Sequence, residues 1–197
     1  MSKGEFFIDV SNWQAADLTQ LTDQIGIKKA IIKVSEYEDL LNKSKDSQTA
    51  TVEPVGFYHF ARFRNAIDEA ERETKHFLDN IPDGHEGLYG VLDYEADIME
   101  DTGGNTAAIL KSLDMIADAG YIPLLYIGYD FYKNGAWNRD EVAAKYPNAF
   151  WVASYRDLDP IDEPDYNWVP QGDNIIAWQF TSKYKGHNLD CSVWLKQ

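Results

Sequence analysis

The stretch Leu88-Tyr-Gly-Val-Leu-Asp-Tyr-Glu95 reads as a buried strand that ends in acid. Side chains alternate along a strand, so Val91, Asp93 and Glu95 share one face while Leu92, Tyr94 and Ala96 share the other. Comparable short runs rich in β-branched and aromatic residues occupy 6–10, 29–35, 55–61, 122–127, 149–154, 175–180 and 189–194. The polar stretches between them carry helical spacing, which is the alternation of an α/β fold. About eight such strands predict a single irregular (β/α) barrel over residues 1–197, with fewer helices than a regular TIM barrel.

Two crossovers are well marked. Residues 65–80 read as a helix with Ala66, Ala70, Phe77 and Leu78 along one side and Pro82 just past its end. After the acidic strand, Asn105 is placed to cap a helix whose apolar positions are Ile109, Leu113, Ile116 and Ala117, with Gly120 as its stop. Residues 42–51 are polar and predict a short helix or loop. The acidic, proline-containing stretch 157–173 predicts irregular structure, so the barrel should lose regularity on its C-terminal side.

The chain has 33 acidic and 18 basic residues, a formal charge of -15. That balance opposes binding to nucleic acid or to anionic membranes, both of which need clustered Lys and Arg. Other polyanions would be repelled too, so charge here serves solubility rather than recognition. With 44% hydrophobic and 14% aromatic residues the chain is too apolar to be disordered, yet no run approaches a membrane span. The apolar N-terminal segment meets Asp9 before a signal-type region forms, which predicts synthesis in the cytoplasm without a signal peptide. Cys191 is the single cysteine, excluding an internal disulfide and a thiolate metal cluster. The four histidines, His59, His76, His85 and His187, lack ligand spacing such as His-Glu-x-x-His. The glycines form no phosphate-binding fingerprint, so neither a metal nor another cofactor is expected. A monomer is the default.

Residues two apart on one strand face lie about 6.5 to 7 Å apart at the backbone, so Asp93 and Glu95 must interact, raising the apparent pKa of one. A protonated carboxyl beside an ionised one suits glycoside cleavage: one gives a proton to the leaving oxygen and the other meets positive charge. Taken alone, an Asp-x-Glu more often marks a solvated strand end. Asp9 closes the first apolar run and Asp190 opens the last, and the first and last strands of a closed barrel are neighbours, so four acids can meet on one rim. Asp190 fits this less well, because it precedes the apolar part of its strand. Aromatic residues mark several strand ends: Tyr58 and Phe60, Tyr126 and Tyr129, Trp151 and Tyr155, Trp178 and Phe180. Each reads as core packing or as a sugar platform.

Seven segments in register resemble glycoside hydrolase family 25, the Chalaropsis-type and phage-endolysin lysozymes. They are the opening strand and turn through Asp9 to Gln14, Ile31 to Glu36, Gly56 to Arg62, Leu92 to Glu95, Trp151 to Tyr155, Trp178 to Thr181, and Leu189-Asp190. The resemblance implies a muramidase that hydrolyses the β-1,4 bond between N-acetylmuramic acid and N-acetylglucosamine in bacterial peptidoglycan. It implies Glu95 as general acid and Asp93 as the carboxylate that orients or stabilises the intermediate. Asp9 and Asp190 become the flanking acids, with Tyr58, Tyr126, Tyr155, Trp178 and Gln179 lining the cleft. Glu36 is a second-tier catalytic candidate, because Tyr37 stands where the family usually has glycine and the stretch to Gly56 is short. The resemblance further implies a phage endolysin or tail-associated lysin reaching the wall by holin-type release or on a particle. The alternative reading is a non-catalytic peptidoglycan- or glycan-binding domain on the same barrel.

Overall fold

A computed structural model describes residues 2–196 and shows a closed barrel. Its strands are β1 (Phe6–Val10), β2 (Lys29–Glu36), β3 (Leu40–Leu41), β4 (Glu53–Phe60), β5 (Tyr89–Asp93), β6 (Ile122–Gly128), β7 (Phe150–Ala153), β8 (Ile175–Thr181) and β9 (Asp190–Trp194). The order β1-β9-β8-β7-β6-β5-β4-β2-β3, with a further β1–β2 pairing, closes eight strands into a ring and leaves β3 as a short hairpin arm on β2. Neighbours from β1 through β2 and β4 to β8 are parallel. β9 runs antiparallel to both β8 and β1. The irregular (β/α) barrel is therefore as expected, with the departure from regularity on the C-terminal side.

Alternation within each strand builds two cores. Phe7, Ile31, Val91, Leu124, Trp151 and Trp194 fill the barrel interior. Ile8, Ile32, Leu92, Leu125, Val152 and Val193, their neighbours in sequence, pack outward against the helices. The helices are α1 (Thr19–Ile25), α2 (Lys45–Thr51), α3 (Ile67–Leu78), α4 (Thr102–Asp118), α5 (Tyr129–Asn134) and α6 (Arg139–Lys145). Between β7 and β8 the chain forms only a 3-10 turn at Tyr166–Trp168, as the Asp- and Pro-rich composition predicts. Gly90 lets β5 approach α4 closely: a Cβ there would lie 2.6 Å from Ile116 Cγ2.

Two expectations need correction. The acidic strand stops at Asp93, not Glu95. Tyr94 N still donates to Tyr126 O at 3.0 Å, after which the chain leaves the sheet and turns through Asp97 at φ 55°. Asn105 does not cap α4. Asp101 does, its side chain accepting from Gly104 N, and Asn105 is buried inside the first turns. There Asn105 Nδ2 donates to Met99 O at 2.6 Å and to Ala136 O at 2.7 Å, and its Oδ1 accepts from Tyr94 Oη at 3.1 Å. A side chain that ties three segments together is invisible to a rule about helix ends. Residues 42–51 contain the short helix α2, as expected, and the arm strand β3 lies just ahead of them at Leu40–Leu41.

Asn105→Ala should lower stability by about 2–4 kcal/mol, because it leaves buried polar partners unsatisfied and opens a cavity. In thermal denaturation this is a fall in Tm of about 5–15 °C.

Candidate active site

The parallel strands all deliver their C-terminal ends to one rim of the barrel, and the inward-facing side chains of those last turns line a single pocket. β1 supplies Asp9, β4 supplies Tyr58 and Phe60, β5 supplies Asp93, β6 supplies Tyr126, and β8 supplies Gln179. Because β9 is antiparallel, its first residue lies where its neighbours end: Asp190 sits directly opposite Asp9 in the register. The position of Asp190 ahead of its apolar run is thus what brings it to the rim. Glu95 reaches the same pocket from the segment after β5.

Four carboxyls therefore share a pocket whose lining offers one cation, Lys33. Asp93 is 7% exposed and its Oδ1 has no hydrogen-bond partner. Loss of solvent, then the charges of Glu95 and Asp9, hold the Asp93 carboxyl well above the usual carboxylate range. Burial followed by Asp190 does the same to Asp9. Desolvation also raises Glu95, against the opposing pull of Lys33, although the residue itself lies open to solvent at the rim. Asp190 is raised to about 6 by burial and by Glu95. The group titrates as a unit and keeps a proton where isolated carboxylates would have lost theirs.

One hydrogen-bond chain orients the cluster. Tyr126 Oη donates to Gln179 Oε1 at 2.8 Å, and Tyr155 Oη donates to the same oxygen. With Oε1 occupied by two hydroxyls, the Gln179 amide must face its Nε2 toward Asp9 Oδ2, 2.9 Å away. Gln179, 2% exposed, is therefore a positioning residue for Asp9.

Asp9, Asp93, Glu95, Asp190, Tyr58, Tyr126, Tyr155 and Gln179 all meet in this pocket. Trp178 does not. It lies one residue out of phase with Gln179, faces the outer core, donates from Nε1 to Ser154 O at 2.7 Å, and packs on Phe180 and Tyr166. Glu36 stands outside as well, paired with Lys33 at 2.7 Å and Arg62 at 3.3 Å. Those cations hold its carboxyl below the usual range despite partial burial, so it has no proton to give. His59 is a buried structural residue, bonded to Ser35 Oγ and Glu73 Oε2, both at 2.9 Å.

The pocket also contains Ser11, Trp13, Lys33, Phe60 and Trp151, absent from the sequence-derived site set. Lys33 had a legible signal, a lone cation at an inward position two residues after Ile31. Trp13 had less. It is 84% exposed on the turn after β1, a place that only folding brings to the rim.

Residues 8–189 match the family described as glycosyl hydrolases family 25, and the chain belongs to that family. It is 39% identical over 189 residues to a lysozyme of Streptococcus phage Cp-1, covering 96% of this chain and 54% of that protein. It is 40% identical over 195 residues to a D-alanyl-L-alanine endopeptidase of Streptococcus phage B30, covering 99% of this chain and 44% of that one. The crystal structure of the modular Cpl-1 endolysin complexed with a peptidoglycan analogue superposes with a TM-score of 0.91 at 37% identity, covering 100% of this chain and 56% of that one. The chain spans about half the length of these relatives.

Raised carboxyls destabilise the fold as pH rises, because the unfolded chain releases their protons first. For Asp190 that loss of stability runs from about pH 4 to about 6. Asp190→Asn should therefore raise Tm at pH 7 by about 3–6 °C, with the gain vanishing near pH 3. Scanning calorimetry across this range checks both halves.

Proposed function

We propose that the chain is a muramidase, hydrolysing the β-1,4 bond between N-acetylmuramic acid and N-acetylglucosamine in bacterial peptidoglycan. The observation that carries this reading is the pocket of four carboxyls with raised pKa at the C-terminal rim, with Glu95 accessible and Asp93 buried behind it. A group that only bound glycan would gain nothing from holding a proton at neutral pH.

In this reading Glu95 donates its proton to the glycosidic oxygen as the bond to the anomeric carbon breaks. Asp93 is the second carboxylate. Its unpartnered Oδ1 suits an N–H from substrate, and the 2-acetamido group of the muramyl unit carries one. Held so, the acetamido oxygen attacks the anomeric carbon and forms a cyclic intermediate. Water then opens it, giving its proton to the Glu95 carboxylate. Direct stabilisation of positive charge by Asp93 is the competing route. Asp9, set by Gln179, and Asp190 flank the cleft and keep a proton within the cluster, while Tyr58, Tyr126 and Tyr155 line it.

The named relatives are phage proteins, and we extend their setting to this chain: an endolysin or a tail-associated lysin that acts on the wall after holin-type release or from a particle. Its partners are peptidoglycan strands, with neither nucleic acid nor membrane, and it acts as a monomer.

Turbidity loss of purified walls tests the assignment. Glu95→Gln should slow lysis by about 100-fold or more; lysis at the wild-type rate would remove Glu95 from its role. Proton NMR of the first-formed anomer tests the route. Retention is expected, and inversion rules out acetamido participation along with any double displacement.

A further inference from the structure

The catalytic pocket continues in two directions with opposite chemistry. Toward β9 it shares Asp9, Tyr58 and Asp190 with a polar groove completed by Gln14, Ser182 and Asn188, under the exposed ring of Trp13. Two acids, neutral polar groups and an indole face suit sugar hydroxyls and repel carboxylates. Toward the β2–β3 arm it shares Lys33 with a second groove lined by Leu40, Leu41, Asn12 and Lys43. Leu40 and Leu41 are 54% and 41% exposed, an unusual display for adjacent large aliphatic residues.

The lining of this second groove carries two lysines, Lys33 and Lys43, against one carboxylate. The groove's own carboxylate, Glu36, is already matched by Lys33 and Arg62. Lys43 is exposed and makes no ion pair among the described residues, in a chain of formal charge -15. The arm is also rigid. Asn42, 2% exposed, donates from Nδ2 to Lys33 O and to Gln48 Oε1, both at 2.9 Å. Gln48 Nε2 in turn donates to Ser11 O at 2.8 Å, fastening the arm to the turn that carries Trp13. At the tip, Tyr37 holds φ 58°, a conformation that glycine adopts at lower cost. Among the described residues β3 pairs only with β2, so its outer edge is free for an extended chain.

We propose that the β2–β3 arm is the subsite for the peptide branch of the substrate. A short, carboxylate-bearing peptide on the muramyl lactyl group would leave the cleft past Lys33 and lie along Leu40, Leu41 and Lys43. This rests on the muramidase reading and adds a specificity to it: the enzyme distinguishes peptide-bearing strands from bare glycan. The other side of the cleft, with Asp9 and Asp190, takes the glycan alone.

The test compares wild type with Leu41→Ser/Lys43→Glu on two substrates: purified wall glycan with its peptides, and the same strands stripped of peptide by an amidase. Release of reducing ends gives kcat/KM. The variant should lose about five- to tenfold on peptide-bearing strands, mainly in KM, and less than about twofold on bare glycan. Both substitutions are at exposed positions, and turnover of bare glycan reports that the variant is folded. Equal loss on both substrates, or no loss on either, overturns the proposal. Failure of the wild type to cleave either substrate overturns the muramidase reading instead, and the subsite with it.

Discussion

The site depends on one pairing, the insertion of β9 antiparallel between β1 and β8. It closes the sheet, so no strand edge of the ring is left to water or to another chain. It also sets Asp190 opposite Asp9. A parallel β9 would have sent the start of that strand to the far end of the barrel, and the cluster would hold three acids. Barrel closure and assembly of the site are thus one event, driven by burial of Phe7, Trp151 and Trp194 in the interior below the rim.

Above that apolar plug the barrel does something costly. It gathers four carboxyls where water is partly excluded and supplies one lysine against them. The fold tolerates this because protonation replaces charge, and because the surrounding hydrogen bonds are one-directional. Two tyrosine hydroxyls saturate the Gln179 oxygen and leave its amide N–H for Asp9. Asp93 has no such partner for its Oδ1. The difference divides the acids into one held by the protein and one left for a ligand. Glu36 shows the opposite solution: paired with two cations, it keeps its charge and loses any use as an acid.

Much of this was legible in the chain. The eight barrel strands lie close to where apolar alternation places them, and Gly120 ends the segment after α4 with φ 87°. Most of the candidate residues meet. The failures share a cause. The family resemblance put both Trp178 and Gln179 in the cleft, yet one step along a strand reverses the face, and only Gln179 looks inward. Asn105 looked like a cap because it is polar near a helix start, whereas its partners include Ala136, 31 residues further along the chain. Trp13 lies in a turn and β3 is two residues long, so hydrophobic period marks neither.

Local sequence determined the strands, their inward and outward faces, and the identity of the acids, because those follow from backbone stereochemistry and side-chain alternation within a few residues. Tertiary structure alone decided which acids became neighbours, which direction β9 ran, and which carboxyl was left without a partner. These are consequences of contacts between residues as far apart as Asp9 and Gln179. Proton affinity is likewise a property of the assembled pocket, since desolvation and like-charge repulsion exist only once the barrel has closed around it.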